Sequence, residues 1–396
     1  MLKSSYCSHR HRGLQWRFMN TTPDIIVVGG GAIGTAIAYQ LAQESVSVQL
    51  LERGPIGREA SWAGGGILSA IHPWEYDPAL AHLIETGRHR WPEYAPRLTE
   101  TSGIDLEFQT CGLLMLFKDR EQFKKVNSWN DLHSVPQQSL DPIEAGAIEP
   151  ALGPNFSDSI LFPDVAQVRN PRVLQALTQA STRLGVDIQT HTPVQSLLTE
   201  SGRVTGVRTS RGDISASQVI LAAGAWTGEI ELPRNISPVH VQPVKGQMIL
   251  LESESQTVRH MILRDDRYII PRKDGRILVG STVEYESGFC KKPTAETVSR
   301  LIVEACELIP DLEKSTFLQA WAGLRPYTPH RIPLIGPVPD LDGLLVATGH
   351  FRNGISMAPI TAEIIADLVL GRSPALDLSP FLPGPPNIRA SSPSTS

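Results

Sequence analysis

The chain has 396 residues, enough for two domains or one elaborate one, and 41% of them are apolar, which allows a sizeable core. A formal net charge of −5 provides no field that would favour nucleic acid or an anionic membrane over a small solute. No apolar run reaches the roughly 18 residues of a membrane-spanning helix. Cys7, Cys111, Cys290 and Cys306 lie far apart without metal-type spacing, and they read as reduced thiols of a cytosolic protein that binds no metal.

The first 23 residues are basic, with Lys3, Arg10, Arg12 and Arg17, but lack the apolar core of a secretory signal. Met19 stands close before the first strand, so residues 1–18 read as an over-extended gene start or a disordered arm, with a transit peptide as the alternative. From Ile25 to Val28 a β-branched run reads as a buried parallel strand, and glycines then open a helix. Gly29, Gly31 and Gly34 fit G-x-G-x-x-G: a tight turn, a close backbone approach to pyrophosphate, and close helix–strand packing. The second strand, Val46 to Leu51, ends in Glu52, whose carboxylate suits a ribose. Strand, helix, strand and acid in this order predict a dinucleotide site; the alternative is a tight turn with no ligand.

Gly54 to Leu68 is a long polar, glycine-rich connection whose Gly64, Gly65 and Gly66 suit backbone laid against a flat ring, with Ala60 and Ser61 near phosphates. Apolar spacing predicts a helix over 78–101, paired strands at 106–109 and 113–117, a helix over 120–133 and a short one over 141–152. These read as the start of a substrate domain. A helix over 170–184 precedes segments at 187–189, 194–198, 204–209 and 214, read together as a three-stranded meander. The buried strand 219–222 ends in small residues and returns the chain to the nucleotide side. Strands at 244–251, 260–263, 268–271 and 276–280 predict an antiparallel sheet walling a pocket, and 294–309 a helix. A strand at 317–324 ended by Arg325-Pro326, a strand at 344–347 and a helix over 355–370 complete the pattern. The tail from Pro383, rich in Pro and Ser, reads as disordered.

The combination of GGGAIG, Glu52, GREASWAGGGIL, AAGAW, VKGQM, YIIPR, ILVGST, WAGLRP and GHFRNGI resembles the FAD-dependent glycine oxidases, of the D-amino-acid oxidase and sarcosine oxidase family. The resemblance runs from about Asp24 to Leu370. It implies an α/β (α+β overall) fold, with an FAD-binding Rossmann-like domain (24–74, 160–235, 324–371) interleaved with a substrate domain on a mostly antiparallel sheet (75–159, 236–323). It implies oxidation of glycine, and of sarcosine or small D-amino acids, to the imine, with O2 reduced to hydrogen peroxide. The imine yields glyoxylate and ammonia or serves thiamine thiazole synthesis. A cytoplasmic homotetramer is also implied.

Carried across residue by residue, Arg325 grips the substrate carboxylate, Tyr268 helps it, and Arg352 stands near substrate and flavin. Ile33, Gly34, Glu52, Arg53, Ala60, Ser61, Gly65, Gly66, Ile67 and Val194 match FAD contacts, as does the loop His350, Phe351, Arg352, Asn353, Gly354, Ile355 and Ser356. No side chain is implied as acid or base. Val283 takes the place of a bulkier methionine, and no cysteine stands near Gly323-Leu324, so FAD is expected without a covalent link. From the residues alone, Arg325 also reads as a structural ion-pair arginine, Tyr268 as a buried strand tyrosine and Arg352 as a loop brace. His350 invites a reading as a base, but its place by the loop favours a positional role. Rival functions are an amine dehydrogenase using an electron carrier and a flavoprotein without turnover.

Overall fold

The computed structural model describes residues 23–253 and 258–384; the expectations for residues 1–18 and for the Pro/Ser-rich tail beyond Gly384 lie outside them. The β-branched run Ile25–Val28 is buried at every position because both faces of its sheet are covered, Ile25 and Val27 packing into one core and Ile26 and Val28 into another. Across the sheet the order is Leu334–Pro337, Leu344–Thr348, Gln218–Leu221, Ile25–Val28, Val48–Leu51 and Asp187–Gln189, all parallel except the first. The segment 187–189 is therefore the edge strand of this sheet, and the meander consists only of Val194–Glu200, Arg203–Thr209 and Gly212–Ser215. Periodicity could not separate them, because three residues carry too little pattern.

One face of the sheet packs under the helices Ala32–Gln43, Asn170–Arg183 and Gly354–Val369, and the other packs against the meander through Leu197, Val204 and Val207. The helix Pro78–Ser102, expected on the substrate side, joins the nucleotide-side core through Leu83, Ile84 and Trp91. At Gly87 a Cβ would stand 2.6 Å from the Ser356 carbonyl oxygen, so the absent side chain permits the helix crossing. Trp91 donates to that same oxygen at 3.2 Å, and the long helix thereby braces the start of Gly354–Val369.

A second sheet runs Thr316–Tyr327, Gln242–Glu252, Arg276–Gly280, Arg267–Pro271, Met261–Arg264, Leu113–Phe117, Asp158–Phe162 and Gln138–Leu140, antiparallel except where Met261–Arg264 meets Leu113–Phe117. The expected pairing of 106–109 with 113–117 is not formed: Gln109–Thr110 pairs with Ala166–Gln167. Strand Thr316–Tyr327 continues through Arg325-Pro326 instead of ending there, because it is an edge strand of the sheet, where a proline opposite Pro243 is tolerated. Both it and Asp158–Phe162 belong to this sheet, so the chain changes sheets after Phe162 and after Tyr327, a few residues past the expected boundaries at 160 and 324. One face of the sheet is sealed by the helix Ala295–Leu308 through Leu301, Ala305 and Leu308. The other face walls the site.

Among the described residues, no helix is long and apolar enough to cross a membrane, and no group of three or more His, Cys, Asp or Glu side chains could hold a metal ion.

Candidate functional site

An elongated cavity of about 600 Å³ runs from the carboxyl ends of the parallel strands to the wall formed by the second sheet. At its first end Gly29 has φ +113°, and a Cβ there would stand 2.4 Å from the Ala222 carbonyl oxygen, so only glycine serves. Gly29, Gly31 and Ile33 line the cavity at the start of helix Ala32–Gln43, whose first amides have no carbonyl of their own helix to bond. Gly34 does not line it: its Cβ would fall 1.9 Å from the Gly29 carbonyl oxygen, and it serves helix–strand packing.

Glu52 is buried, and its two carboxylate oxygens accept the amides of Gly30 at 2.7 Å and Gly54 at 2.8 Å. Each oxygen keeps a lone pair for a ribose hydroxyl. Ser61 Oγ accepts the Ala32 amide at 2.9 Å, tying the short helix Ala60–Ala63 to the phosphate end. Arg53 lies over the Trp226 ring at 4.4 Å. Val194 lines the cavity from the first residue of the meander.

Ala60, Ser61, Gly65, Gly66 and Ile67 line the middle of the cavity. Buried Arg272 holds this loop by donating to the carbonyl oxygens of Gly65 at 2.7 Å and Val168 at 3.0 Å. Burial, with repulsion from Arg169, pulls its pKa down to about 10. Asn170 and Ser356 also line the cavity, although Asn170 Oδ1 and Ser356 Oγ are themselves buried without a hydrogen-bond partner among the described residues. A cavity of this length with a helix start opening onto it fits a polar, phosphate-bearing cofactor.

At the other end, strand alternation selects the side chains. Directly paired residues share a face, so Val244 with Arg325, Gly246 with Gly323, Met248 with Trp321, and Gly280 with Tyr268 all point the same way. The glycines clear the floor. A Cβ at Gly246 would stand 2.3 Å from both terminal nitrogens of Arg325, whose guanidinium occupies that space.

Arg325 donates to the Thr282 carbonyl oxygen at 2.9 Å and to Ser281 Oγ at 2.7 Å, and forms no ion pair with a carboxylate among the described residues. Burial lowers its pKa, Tyr268 opposes that, and Arg352 adds to it. The ion-pair reading of Arg325 therefore gives way to a cation whose acceptors are all neutral. Tyr268 is buried with its hydroxyl near Met248 Sδ at 3.6 Å, a weak acceptor that leaves the O–H available. Arg352 is paired with Asp266 at 2.8 Å.

His350 to Ser356 all line the cavity around the second helix start. His350 is buried, its Nε2 lies 3.1 Å from Thr361 Oγ1, and burial pushes its pKa down to about 3. It is a neutral brace. Phe351 donates its amide to the Pro326 carbonyl oxygen at 3.0 Å, linking this loop to the strand that carries Arg325. Val283 lines a second cavity of about 260 Å³ next to the first.

Residues 24–368 match the family described as DAO, FAD dependent oxidoreductase. The chain belongs to the FAD-dependent oxidoreductases. FAD is the cofactor of this oxidoreductase. Over 361 residues, covering 91% of this chain and 98% of the other, the sequence is 44% identical to the glycine oxidase of Pseudomonas aeruginosa. It is 32% identical to the bifunctional protein ThiO/ThiG of Trichormus variabilis, matching 88% of this chain and 53% of that protein. The crystal structure of glycine oxidase from Geobacillus kaustophilus superposes with a TM-score of 0.86 at 31% identity, covering 91% of this chain and 98% of that one.

The sequence reading missed Gly246, Ser281, Asn170 and Arg272. A glycine inside a long strand, as in VKGQM, is a signal for close approach and would have found the first. The others come together only through the fold.

Proposed function

We propose that this chain is an FAD-dependent glycine oxidase. The observation that carries the reading is Arg325, a half-buried guanidinium opening into the cofactor cavity with no carboxylate partner among the described residues. A guanidinium fork matches a carboxylate with two parallel hydrogen bonds, and Tyr268 adds a third donor. FAD held along the cavity would supply the redox chemistry, in which the substrate Cα loses a hydride and its amine a proton, and O2 gains the two electrons and two protons to become hydrogen peroxide. The protein orients the Cα–H by fixing the carboxylate, and its dry wall of Met248, Ile67 and Leu263 favours the neutral amine over the ammonium. No side chain here acts as acid or base, since His350 is neutral and bonded away.

The nucleotide sheet holds the cofactor and the second sheet walls the substrate. The product imine gives glyoxylate and ammonia, or serves thiamine thiazole synthesis. We place the protein in the cytoplasm as a homotetramer. Anaerobic glycine should bleach the yellow holoenzyme, and air should then restore the colour with release of peroxide; a flavin that stays oxidised under glycine overturns the reading.

A further inference from the structure

Two arginines face the substrate end of the cavity, and they are not equivalent. Arg325 has only neutral acceptors, whereas Arg352 is held by Asp266 at 2.8 Å. The two guanidiniums feel each other, and Tyr268 acts on both, so they share one small region. Asp266 lines both the main cavity and its 260 Å³ neighbour, as do His350, Phe351, Arg352 and Asn353, so the ion pair stands where the two cavities meet. Asp266 is about half exposed, so desolvation opposes its ionisation only in part, and Arg352, helped by His72 and Arg267, holds the carboxyl below its ordinary range. Arg267 is itself paired with Glu304, so it leaves Asp266 to Arg352.

Resting on the assignment of Arg325 as the carboxylate anchor, we infer that Asp266 sets substrate charge: by neutralising Arg352 it leaves Arg325, of the two arginines at the substrate end, the one without a carboxylate among the described residues, which selects amines bearing a single carboxylate. A ligand with a second carboxylate would have to displace Asp266 from Arg352 or leave its own charge unpaired beside Asp266, and either is unfavourable in a partly desolvated site. Removing the charge of Asp266 should free Arg352 as a second anion anchor while the hydrogen bonds that seat Arg325, none of which goes to Asp266, stay in place.

The test uses holoenzyme and two ligands that lack an amine and are not oxidised, acetate and malonate, titrated through the perturbation of flavin absorption. Wild-type protein should bind malonate no more tightly than acetate. Asp266→Asn should raise the malonate-to-acetate affinity ratio about tenfold, and adding Arg352→Met to it should abolish that gain. Three results overturn the inference: wild-type protein that already prefers malonate tenfold, a ratio unmoved by Asp266→Asn, or a gain that survives loss of Arg352. The first needs no variant to fold. Failure of the underlying reading looks different, since acetate binding would then persist undiminished in Arg325→Ala.

Discussion

The two ends of the cavity recognise their ligands by opposite means. At the nucleotide end the protein offers backbone: amides at two helix starts, glycines whose missing side chains make room, and one carboxylate already anchored to the amides of Gly30 and Gly54. At the substrate end it offers side chains on a rigid sheet, with Arg325, Tyr268 and Met248 brought onto one face by strand register and charge decided by which arginine finds a carboxylate. A backbone site binds one kind of group and tolerates little change in shape. A side-chain site retunes by single substitutions while the fold stays as it is.

The contrast is broken most severely at Gly29. Replacing it with Ala places a Cβ against the Ala222 backbone at 2.4 Å in a left-handed conformation, and the purified protein should contain little or no FAD. Full flavin content in Gly29→Ala would show that the turn has slack. Gly246→Ala probes the other end. Its methyl group must push the Arg325 guanidinium off its seat, so the Michaelis constant for glycine should rise about tenfold with FAD retained, a loss on the order of 1.4 kcal/mol.

A smaller effect sharpens the comparison at the brace between the two ends. His350 is neutral when folded, with its pKa near 3, and protonates near 6.5 when unfolded. The unfolded state therefore binds the extra proton, and stability falls as pH drops from about 6.5 toward 3, by up to about 1.4 kcal/mol per pH unit. Denaturation midpoints followed across that window should slope less steeply in His350→Asn than in the wild type; parallel slopes would mean that His350 is charged in the fold.

The same contrast explains what the sequence made legible. Gly29, Gly31, Ser61 and Glu52 act through local turns and strand ends, so short motifs in chain order suffice to place them. Arg325 and Tyr268 were reached through resemblance, not through spacing. Asp266 was visible as a charged residue without an identifiable partner, because Arg352 lies far along the chain and meets it only where the two sheets face each other. Gly34 keeps the packing role that its place in the motif gives it, with no room for a Cβ against the Gly29 carbonyl oxygen. Similarly, the strand Asp187–Gln189 was assigned to the meander that follows it, because adjacency in sequence was the only guide.

The claim on which the rest depends is that the Arg325 guanidinium anchors the substrate carboxylate beside the flavin. Rapid anaerobic mixing of Arg325→Ala holoenzyme with increasing glycine measures this directly, through the glycine concentration that half-saturates flavin reduction. Loss of a buried charge-assisted pair on the order of 3 kcal/mol predicts an increase of about a hundredfold with FAD content unchanged. Half-saturation at the wild-type concentration would contradict the account.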